Sequence, residues 1–414
     1  MIDKKYSLHH SGYHHGSYPE IVSAKGSLLT SSDGREFFDA GLGAGSQILG
    51  HAHPSVVAAI KQQITKGSVY LHNNKNIHSL CEELLEILPQ GHSNFVFCNS
   101  GSEATQRALR LARTSTGRER IGYFYGGWHG MNEWTLAQDG NRFGNVEKKI
   151  PDGIPKQIFK DSLVLPYNVD EAFKILENIP KNLAAIIVEP VQGSNPREDI
   201  LPFLERLQAY CRKTGTLMIF DEIITGFRLD VGGASEKWNL HPDIITYGKV
   251  LGGGMPIGLM TCTDDVAATT FYDQSKRVLT GGTFSANPLT AAASLAVVRT
   301  LKKQDYNNID DLSKLMRSKL NHYFKSKNLP FSVSGIGSIS RLAFTNQLFL
   351  NRKERDALES SLTIQEMFRK SLMDQDVLWP TNGIVFTGFC QTKDLILELS
   401  EKVINAANST LESV

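Results

Sequence analysis

The chain has 414 residues, of which 41% are hydrophobic and 21% are charged, so it can form a large buried core and more than one domain. Its 44 basic residues nearly balance its 43 acidic residues, so the overall charge gives no reason to expect a nucleic acid partner or an anionic membrane partner. The composition excludes a small disulfide-stapled module and favours chemistry on small molecules.

The five cysteines are scattered and form no CxxC pair, which argues against a disulfide framework or a zinc knuckle. The start of the chain has no apolar segment typical of a signal peptide. No window approaches the run of about 20 apolar residues that spans a bilayer. We therefore expect a cytoplasmic protein that binds no membrane.

The predicted elements alternate between helices and short apolar strands through the middle of the chain. Helical spacing of apolar residues predicts helices, in chain order, at 54–65, 77–88, 103–114, 201–214, 287–301, 312–324 and 393–407. Short apolar runs predict strands at 184–188, 217–220 and 244–247, with a further strand at 340–344. This alternation predicts an α/β fold, with a mostly parallel central sheet covered by helices on both faces.

The pattern changes after about residue 302, where shorter strands and helices predict a smaller α+β domain. We expect a large domain at 46–301 and a small domain at 302–414. The N-terminal segment 1–45 is expected to form part of the small domain. Residues 140–160 are rich in glycine, proline and charge and predict a mobile loop.

Asp221 follows the predicted strand 217–220 directly. A carboxylate at the end of a buried strand is costly without a partner. A protonated ring nitrogen would suit it, because a nearby carboxylate favours the charged form of that nitrogen. A helix cap and a salt bridge are the alternative interpretations.

Lys249 lies just beyond the next strand and is soon followed by three consecutive glycines, which allow a ligand to approach the backbone closely. A lysine in this position can form a Schiff base. A phosphate-binding P-loop is excluded, because Asp243 and Val250 stand where that motif requires glycine and serine or threonine. A purely structural lysine remains an alternative.

Two further segments predict contacts with a ligand. Ser100, Gly101 and Ser102 open a helix, where free backbone N–H groups and hydroxyls bind a phosphate; ordinary helix capping is the alternative. Trp128 lies among glycines and can stack on a planar ring, and a buried core tryptophan is the alternative.

A protein supplies four things to pyridoxal 5′-phosphate: a binding site for the phosphate, a surface that stacks on the ring, an acid for the pyridinium and a lysine for the aldehyde. The four segments described above match this set. The chain resembles the class III aminotransferases of fold type I, and among them the aminomutases of the glutamate-1-semialdehyde type. The resemblance rests on these motifs: Gly50-His51-Ala52-His53-Pro54, Asn99-Ser100-Gly101-Ser102-Glu103-Ala104-Thr105, Val188-Glu189-Pro190-Val191, Asp221-Glu222-Ile223-Ile224-Thr225-Gly226-Phe227-Arg228, Gly248-Lys249 and Gly281-Gly282-Thr283-Phe284-Ser285-Ala286-Asn287-Pro288.

The resemblance implies a transaminase that moves an amino group between an amino donor and a small carbonyl acceptor through Schiff-base intermediates on Lys249. It implies that Lys249 also moves the proton, and that Asp221 pairs with the pyridine nitrogen. An intramolecular aminomutase is the alternative function, and a pyridoxal-phosphate-binding protein without turnover is a third.

The resemblance also implies the remaining cofactor contacts. Ser100, Gly101 and Ser102 match the phosphate loop, Trp128 and Ile223 match the residues on the two faces of the ring, and Glu189 matches an acid near the cofactor. Thr283 matches a threonine that reaches the phosphate of the neighbouring subunit, which implies a homodimer with active sites at the interface.

The sequence departs from the aminomutase pattern at two places. Residues 8–17 contain no arginine to hold a substrate carboxylate, and Phe386 stands where the aminomutase carries an acid. Both differences favour a relative that transaminates another compound.

Three further features could contribute to the site. The four histidines of residues 8–17 could attract an anionic substrate, and we expect no metal site there. Arg341 is interpreted as the cation of a surface salt bridge, with an anion contact as the alternative. Residues 140–160 match the position of the aminomutase's gating loop and could form a lid.

Overall fold

A computed structural model describes residues 19–136 and 152–412 of the chain. The histidine-rich segment lies outside these residues, as does most of the predicted lid loop.

The strands occur in all parts of the described chain. They are β1 (Ile21–Lys25), β2 (Leu28–Ser31), β3 (Glu36–Asp39), β4 (Asn94–Cys98), β5 (Arg120–Phe124), β6 (Ser162–Leu165), β7 (Leu183–Val188), β8 (Leu217–Asp221), β9 (Ile244–Gly248), β10 (Gly258–Cys262), β11 (Ser332–Ile336), β12 (Ile339–Ala343), β13 (Val377–Leu378) and β14 (Ile384–Phe386).

The helices separate most of these strands. They are α1 (Pro54–Ile64), α2 (Lys75–Leu85), α3 (Gly101–Thr116), α4 (Glu171–Asn178), α5 (Leu201–Thr214), α6 (Gly233–Lys237), α7 (Asp264–Ala268), α8 (Pro288–Leu301), α9 (Tyr306–Ser326), α10 (Arg352–Leu358), α11 (Leu362–Asp374) and α12 (Lys393–Glu412).

A seven-stranded sheet forms the centre of the fold, in the order β4-β10-β9-β8-β7-β5-β6. β10 pairs antiparallel with both of its neighbours, so β4 runs in the same direction as β9 and the other strands. β7 consists of six buried apolar residues, as expected for a strand that is covered on both faces. The predicted α/β fold with a mostly parallel central sheet is therefore confirmed.

The predicted element boundaries hold to within a few residues for most elements. α5 has the predicted limits because Gly215 follows it with a φ of +64°, a left-handed conformation that ends the helix. α9 begins earlier than predicted because the Asp305 side chain accepts a hydrogen bond from the Asn307 N–H and caps the helix at that point.

Two smaller sheets complete the fold, in the orders β1-β2-β3-β13 and β11-β12-β14. β3 and β13 are parallel, with Phe38 opposite Val377, so the N-terminal and C-terminal parts of the chain share one sheet. The domain boundaries at residues 45 and 301 stay a prediction.

Arg228 connects these parts of the molecule from a fully buried position. Its guanidinium donates to the carbonyl oxygens of Gly45 (2.7 Å) and Thr387 (3.1 Å), and its Cζ lies 4.5 Å from the centre of the Phe386 ring. Burial lowers the pKa of this arginine to about 9. The N-terminal, central and C-terminal segments therefore meet at one buried cation.

The neighbouring residues Leu84 and Leu85 of α2 test how much the packing of the helix layer contributes to stability. Leu84 is 0% exposed and Leu85 is 55% exposed. We expect Leu84→Ala to lower the free energy of unfolding by about 3 kcal/mol, because it leaves a cavity in the core. Leu85→Ala, the matched control, should change it by less than about 0.5 kcal/mol. Equal losses for the two variants in urea denaturation would contradict this packing.

Candidate active site

The predicted site residues follow strands whose carboxyl ends meet at one edge of the central sheet. Asp221 ends β8, and Lys249 follows β9, the neighbouring parallel strand. Ser100 follows β4 and Glu189 follows β7. Since parallel strands end at the same edge of a sheet, the topology itself brings these four side chains together.

A cavity of about 420 Å³ opens at this edge, a size typical of small-molecule sites. Eight of the nine predicted residues contribute to its wall. They are Ser100, Gly101, Ser102, Trp128, Glu189, Asp221, Ile223 and Lys249.

The Asp221 carboxylate is 2% exposed and is held by three hydrogen bonds. Its Oδ2 lies 2.7 Å from Nδ1 of His129. Its Oδ1 accepts from the Ile223 N–H at 3.1 Å and from the Thr246 hydroxyl at 3.3 Å. The carboxylate is therefore fixed in orientation at the base of the cavity.

His129 is the functional candidate that the sequence reasoning missed. It is 2% exposed and lines the cavity beside Trp128. Because an ionised carboxylate only accepts hydrogen bonds, the contact with Asp221 requires a proton on Nδ1. Its backbone oxygen accepts from the Thr105 hydroxyl at 2.7 Å, which anchors the histidine to α3. The only sequence signal was its place in the glycine-rich motif that also contains Trp128.

Glu189 connects two loops at the cavity wall. It is 4% exposed, and its two oxygens accept from the backbone N–H groups of Trp128 (2.7 Å) and Gly193 (3.2 Å). Burial raises the pKa of this carboxyl above its ordinary value, and the negative charge of Asp221 raises it further. Glu189 therefore positions the loop that carries Trp128.

The start of α3 shows the helix capping that was one interpretation of the sequence, and phosphate binding there stays a prediction. The Ser100 hydroxyl accepts from the Glu103 N–H at 3.2 Å, so Ser100 caps the helix, and the Ser102 hydroxyl accepts from the Met131 N–H at 3.0 Å. The first-turn N–H groups of a helix have no acceptor within it. A Cβ on Gly101 would lie 2.8 Å from Cδ1 of Ile223, so this position has no room for a side chain.

Lys249 has a φ of +41°, a left-handed conformation that costs a residue other than glycine on the order of 1 kcal/mol. It begins a short 3₁₀-helix, Lys249–Gly252, directly after β9. Its side chain contributes to the cavity wall. Backbone strain of this kind is found at functional sites, where the surrounding fold enforces it.

Thr283 is the one predicted residue that lies away from this cavity. It is exposed, on a segment that also exposes Leu279 (61%) and Phe284 (58%).

The interpretation of Arg341 as part of a surface salt bridge is wrong. Arg341 is 8% exposed, and the side chain of its partner Glu359, whose Oε1 lies 3.5 Å from the guanidinium, is also 8% exposed. The reason is its place on β12, the central strand of its sheet, whose five residues are all buried. Arg341 does not contribute to the wall of the cavity.

The described part of the chain shows neither a membrane span nor a metal cluster. Each helix within residues 19–136 and 152–412 is too short or too polar to cross a bilayer. The same residues contain no group of three or more His, Cys, Asp or Glu side chains arranged to bind a metal ion.

Comparison with known proteins identifies relatives over most of the chain. The family described as Aminotransferase class-III matches residues 12–372. The glutamate-1-semialdehyde 2,1-aminomutase of Methanothermobacter thermautotrophicus is 34% identical over 87% of this chain and 84% of that protein. The enzyme of the same name from Sulfolobus acidocaldarius is 34% identical over 94% of this chain and 93% of that protein.

Solved structures share the fold at lower sequence identity. An omega-transaminase from Sphaerobacter thermophilus superimposes with a TM-score of 0.87 at 24% identity, over 98% of this chain and 94% of that one. A glutamate-1-semialdehyde-aminomutase from Pseudomonas aeruginosa superimposes with a TM-score of 0.83 at 21% identity, over 95% of this chain and 88% of that one. Since the family match and the curated relatives cover most of the sequence, the chain belongs to the class III aminotransferases, which are pyridoxal-phosphate-dependent enzymes of fold type I.

Proposed function

We propose that this enzyme moves an amino group between an amino donor and a small carbonyl acceptor, with Lys249 and Asp221 as its catalytic residues. One observation carries the assignment of these residues. The two side chains come from the ends of neighbouring parallel strands and face one cavity with the Ser100–Ser102 segment.

The residues of the cavity fit pyridoxal phosphate. A buried carboxylate suits a pyridinium, and the helix start at Gly101, where no side chain fits, suits a phosphate that approaches the backbone. Lys249 supplies a primary amine for covalent attachment of the cofactor aldehyde. Trp128 and Ile223 supply apolar surface for the two faces of the ring.

When bound, the cofactor supplies a ring that accepts the electron pair left behind when a substrate carbon loses its proton. Lys249 would hold the cofactor through Nζ, and its amine, once free, would carry the proton that the substrate carbon loses.

Asp221 keeps a proton on the pyridine nitrogen, because a carboxylate in contact favours the charged form of that nitrogen. His129 contributes to this task from 2.7 Å, because its Nδ1–H donates to Oδ2 and fixes the orientation of the carboxylate. Glu189 holds the Trp128 backbone against the cavity. His129 and Glu189 therefore act by positioning their neighbours, and Asp221 acts through its charge.

An intramolecular aminomutase remains the second candidate function, because the curated relatives carry that name. The two functions differ in one requirement: a transaminase needs an external amino donor and a separate carbonyl acceptor. Product formation in a single turnover without an added donor would favour the mutase.

We also propose a homodimer in which Thr283 reaches the cofactor phosphate of the neighbouring subunit. Thr283 is exposed on its own chain, and apolar side chains beside it are exposed too, as expected for a surface that a second copy covers. A cytoplasmic location is proposed as well, and it agrees with five cysteines that are all free thiols.

Lys249→Ala tests the proposed attachment of the cofactor. Borohydride treatment of the wild-type holoenzyme should add the mass of the cofactor to the peptide that contains Lys249. The variant should lose this adduct, and its turnover should fall about 100- to 10,000-fold because it lacks the proton carrier. Lys213→Ala, which removes an exposed lysine of α5, serves as the control and should leave both measurements unchanged. Full turnover of Lys249→Ala would refute the assignment.

Asp221→Asn removes the charge of the carboxylate and keeps its shape. We expect kcat to fall about 100-fold or more, because the ring nitrogen loses the charge that holds its proton. Asp243→Asn is the control, since Asp243 is half-buried, precedes β9 and accepts from the Met218 N–H (2.7 Å) at the opposite end of the strands. Its kcat should stay near that of the wild type, and equal losses for both variants would point to a general effect on folding.

Leu279→Asp and Phe284→Asp test the proposed dimer. A carboxylate buried without a partner in the interface is costly, so each variant should sediment as a monomer where the wild type sediments as a dimer. Leu362→Asp changes a similarly exposed leucine on α11, at 62% exposure, and should leave the dimer intact. A monomeric wild-type holoenzyme would contradict the proposal.

A further inference from the structure

Thr283 follows a loop, residues 276–282, that has no regular secondary structure. Among the described residues, the backbone of residues 277–281 takes part in two hydrogen bonds, and arginines of α3 donate both of them. These are Arg107 and Arg110, which lie one turn apart on the helix. The helix that begins at the proposed phosphate segment therefore also holds the part of the chain that leads to Thr283.

Arg107 is 8% exposed and contacts three parts of the chain. Its guanidinium donates to the Gly281 oxygen at 3.0 Å, to the Phe97 oxygen of β4 at 2.9 Å and to Oε2 of Glu103 at 3.1 Å. An ordinary pair of charges four residues apart on a helix accounts for the last contact alone. The two carbonyl oxygens belong to segments far apart in the chain, and a charged donor makes stronger hydrogen bonds than a neutral one. Arg107 therefore ties the loop to β4.

Glu103 continues this connection to the wall of the cavity. Its Oε2, which accepts from Arg107, also accepts from the Asn99 N–H at 3.1 Å. Asn99 and the next residue, Ser100, line the cavity. A Cβ on Gly282 would lie 3.3 Å from Nη2 of Arg107 and 3.6 Å from Nδ2 of Asn99, so the loop backbone lies close to both. An unbroken series of contacts thus runs from the cavity wall to the loop.

We propose that Arg107 is a positioning residue for cofactor binding, because it fixes the loop that carries Thr283 against the phosphate segment of its own subunit. This inference rests on the proposed function and the proposed dimer. In that dimer, one guanidinium positions two sets of phosphate contacts: those of Ser100–Ser102 in its own subunit and that of Thr283 in the neighbouring subunit. Loss of Arg107 therefore weakens cofactor binding in both subunits, including one whose own Arg107 is intact.

The first test compares pyridoxal 5′-phosphate with pyridoxal, which keeps the ring and the aldehyde and lacks the phosphate. Arg107→Gln should raise the Kd of pyridoxal phosphate about 10- to 100-fold, the loss typical of hydrogen bonds from a charged group. It should change the Kd of pyridoxal less than about threefold. Arg107→Lys should show a smaller loss, because it keeps the charge and lacks the planar fork. Equal losses for the two ligands would overturn the proposal, because they indicate a general effect on the fold.

Arg110→Gln is the matched control. Arg110 donates to the Leu279 oxygen of the same loop at 2.8 Å, but it is exposed and makes no hydrogen bond to Glu103 or Asn99 among the described residues. It should raise the Kd of pyridoxal phosphate less than about threefold, as expected for a surface substitution. An effect equal to that of Arg107→Gln would contradict the role of the connection through Glu103.

A heterodimer tests the connection between the subunits. One copy carries Lys249→Ala, so it holds no cofactor covalently, and release of the cofactor is followed from the other copy, which is otherwise wild type. Arg107→Gln in the first copy should speed this release about 10-fold, because the Thr283 that reaches the phosphate belongs to that copy. Arg110→Gln in the same copy should leave the rate unchanged. An unchanged rate with Arg107→Gln would refute the proposal.

The outcomes separate this proposal from the proposed function. If the wild type binds no pyridoxal phosphate, or borohydride attaches the cofactor to a residue other than Lys249, the proposed function itself fails. If the wild type binds it through Lys249 and Arg107→Gln binds it equally tightly, the proposed function stands and the role of Arg107 is refuted. If Arg107→Gln does not fold, Arg107→Lys decides by the same two measurements.

Discussion

A buried negative charge at the end of β8 determines how the rest of the site is arranged. An isolated carboxylate at 2% exposure is costly, so Asp221 needs partners from other parts of the chain. They come from the loop after β5 through His129, from the following turn through Ile223, and from β9 through Thr246. The hydrogen bonds that stabilise the buried carboxylate also fix its orientation toward the cavity.

The central sheet and the three-stranded sheet differ in their position relative to the cavity. The central sheet fixes the proposed site residues, because the ends of its parallel strands present Asp221, Lys249 and Glu189 at one edge. The three-stranded sheet packs into the main core with the face that carries Ile339 and Ile384, and none of the residues of its strands lines the cavity.

The sequence predicts those parts of the fold and site whose signals are local. The strand before Asp221 is an uninterrupted apolar run, the strand before Lys249 is a mostly apolar one, and the positions of both hold to within one residue. His129 was missed because its partner is distant in the chain and a histidine among glycines gives no periodic signal. The burial of Arg341 depends on the pairing of β12 with β14, a tertiary contact that a single arginine in a short strand does not reveal.

The position of β10 affects how an active enzyme is made. β10 is inserted between β4 and β9, and it pairs Gly258 with both Cys98 and Gly248, although Cys98 is far away along the chain. A Cβ on Gly258 would lie 2.1 Å from the Ser100 oxygen, so this strand also presses against the segment before α3. β10 therefore has to lie between β4 and β9 before the Ser100 segment and Lys249 can line one cavity, so this cavity depends on pairing between residues that are far apart along the chain.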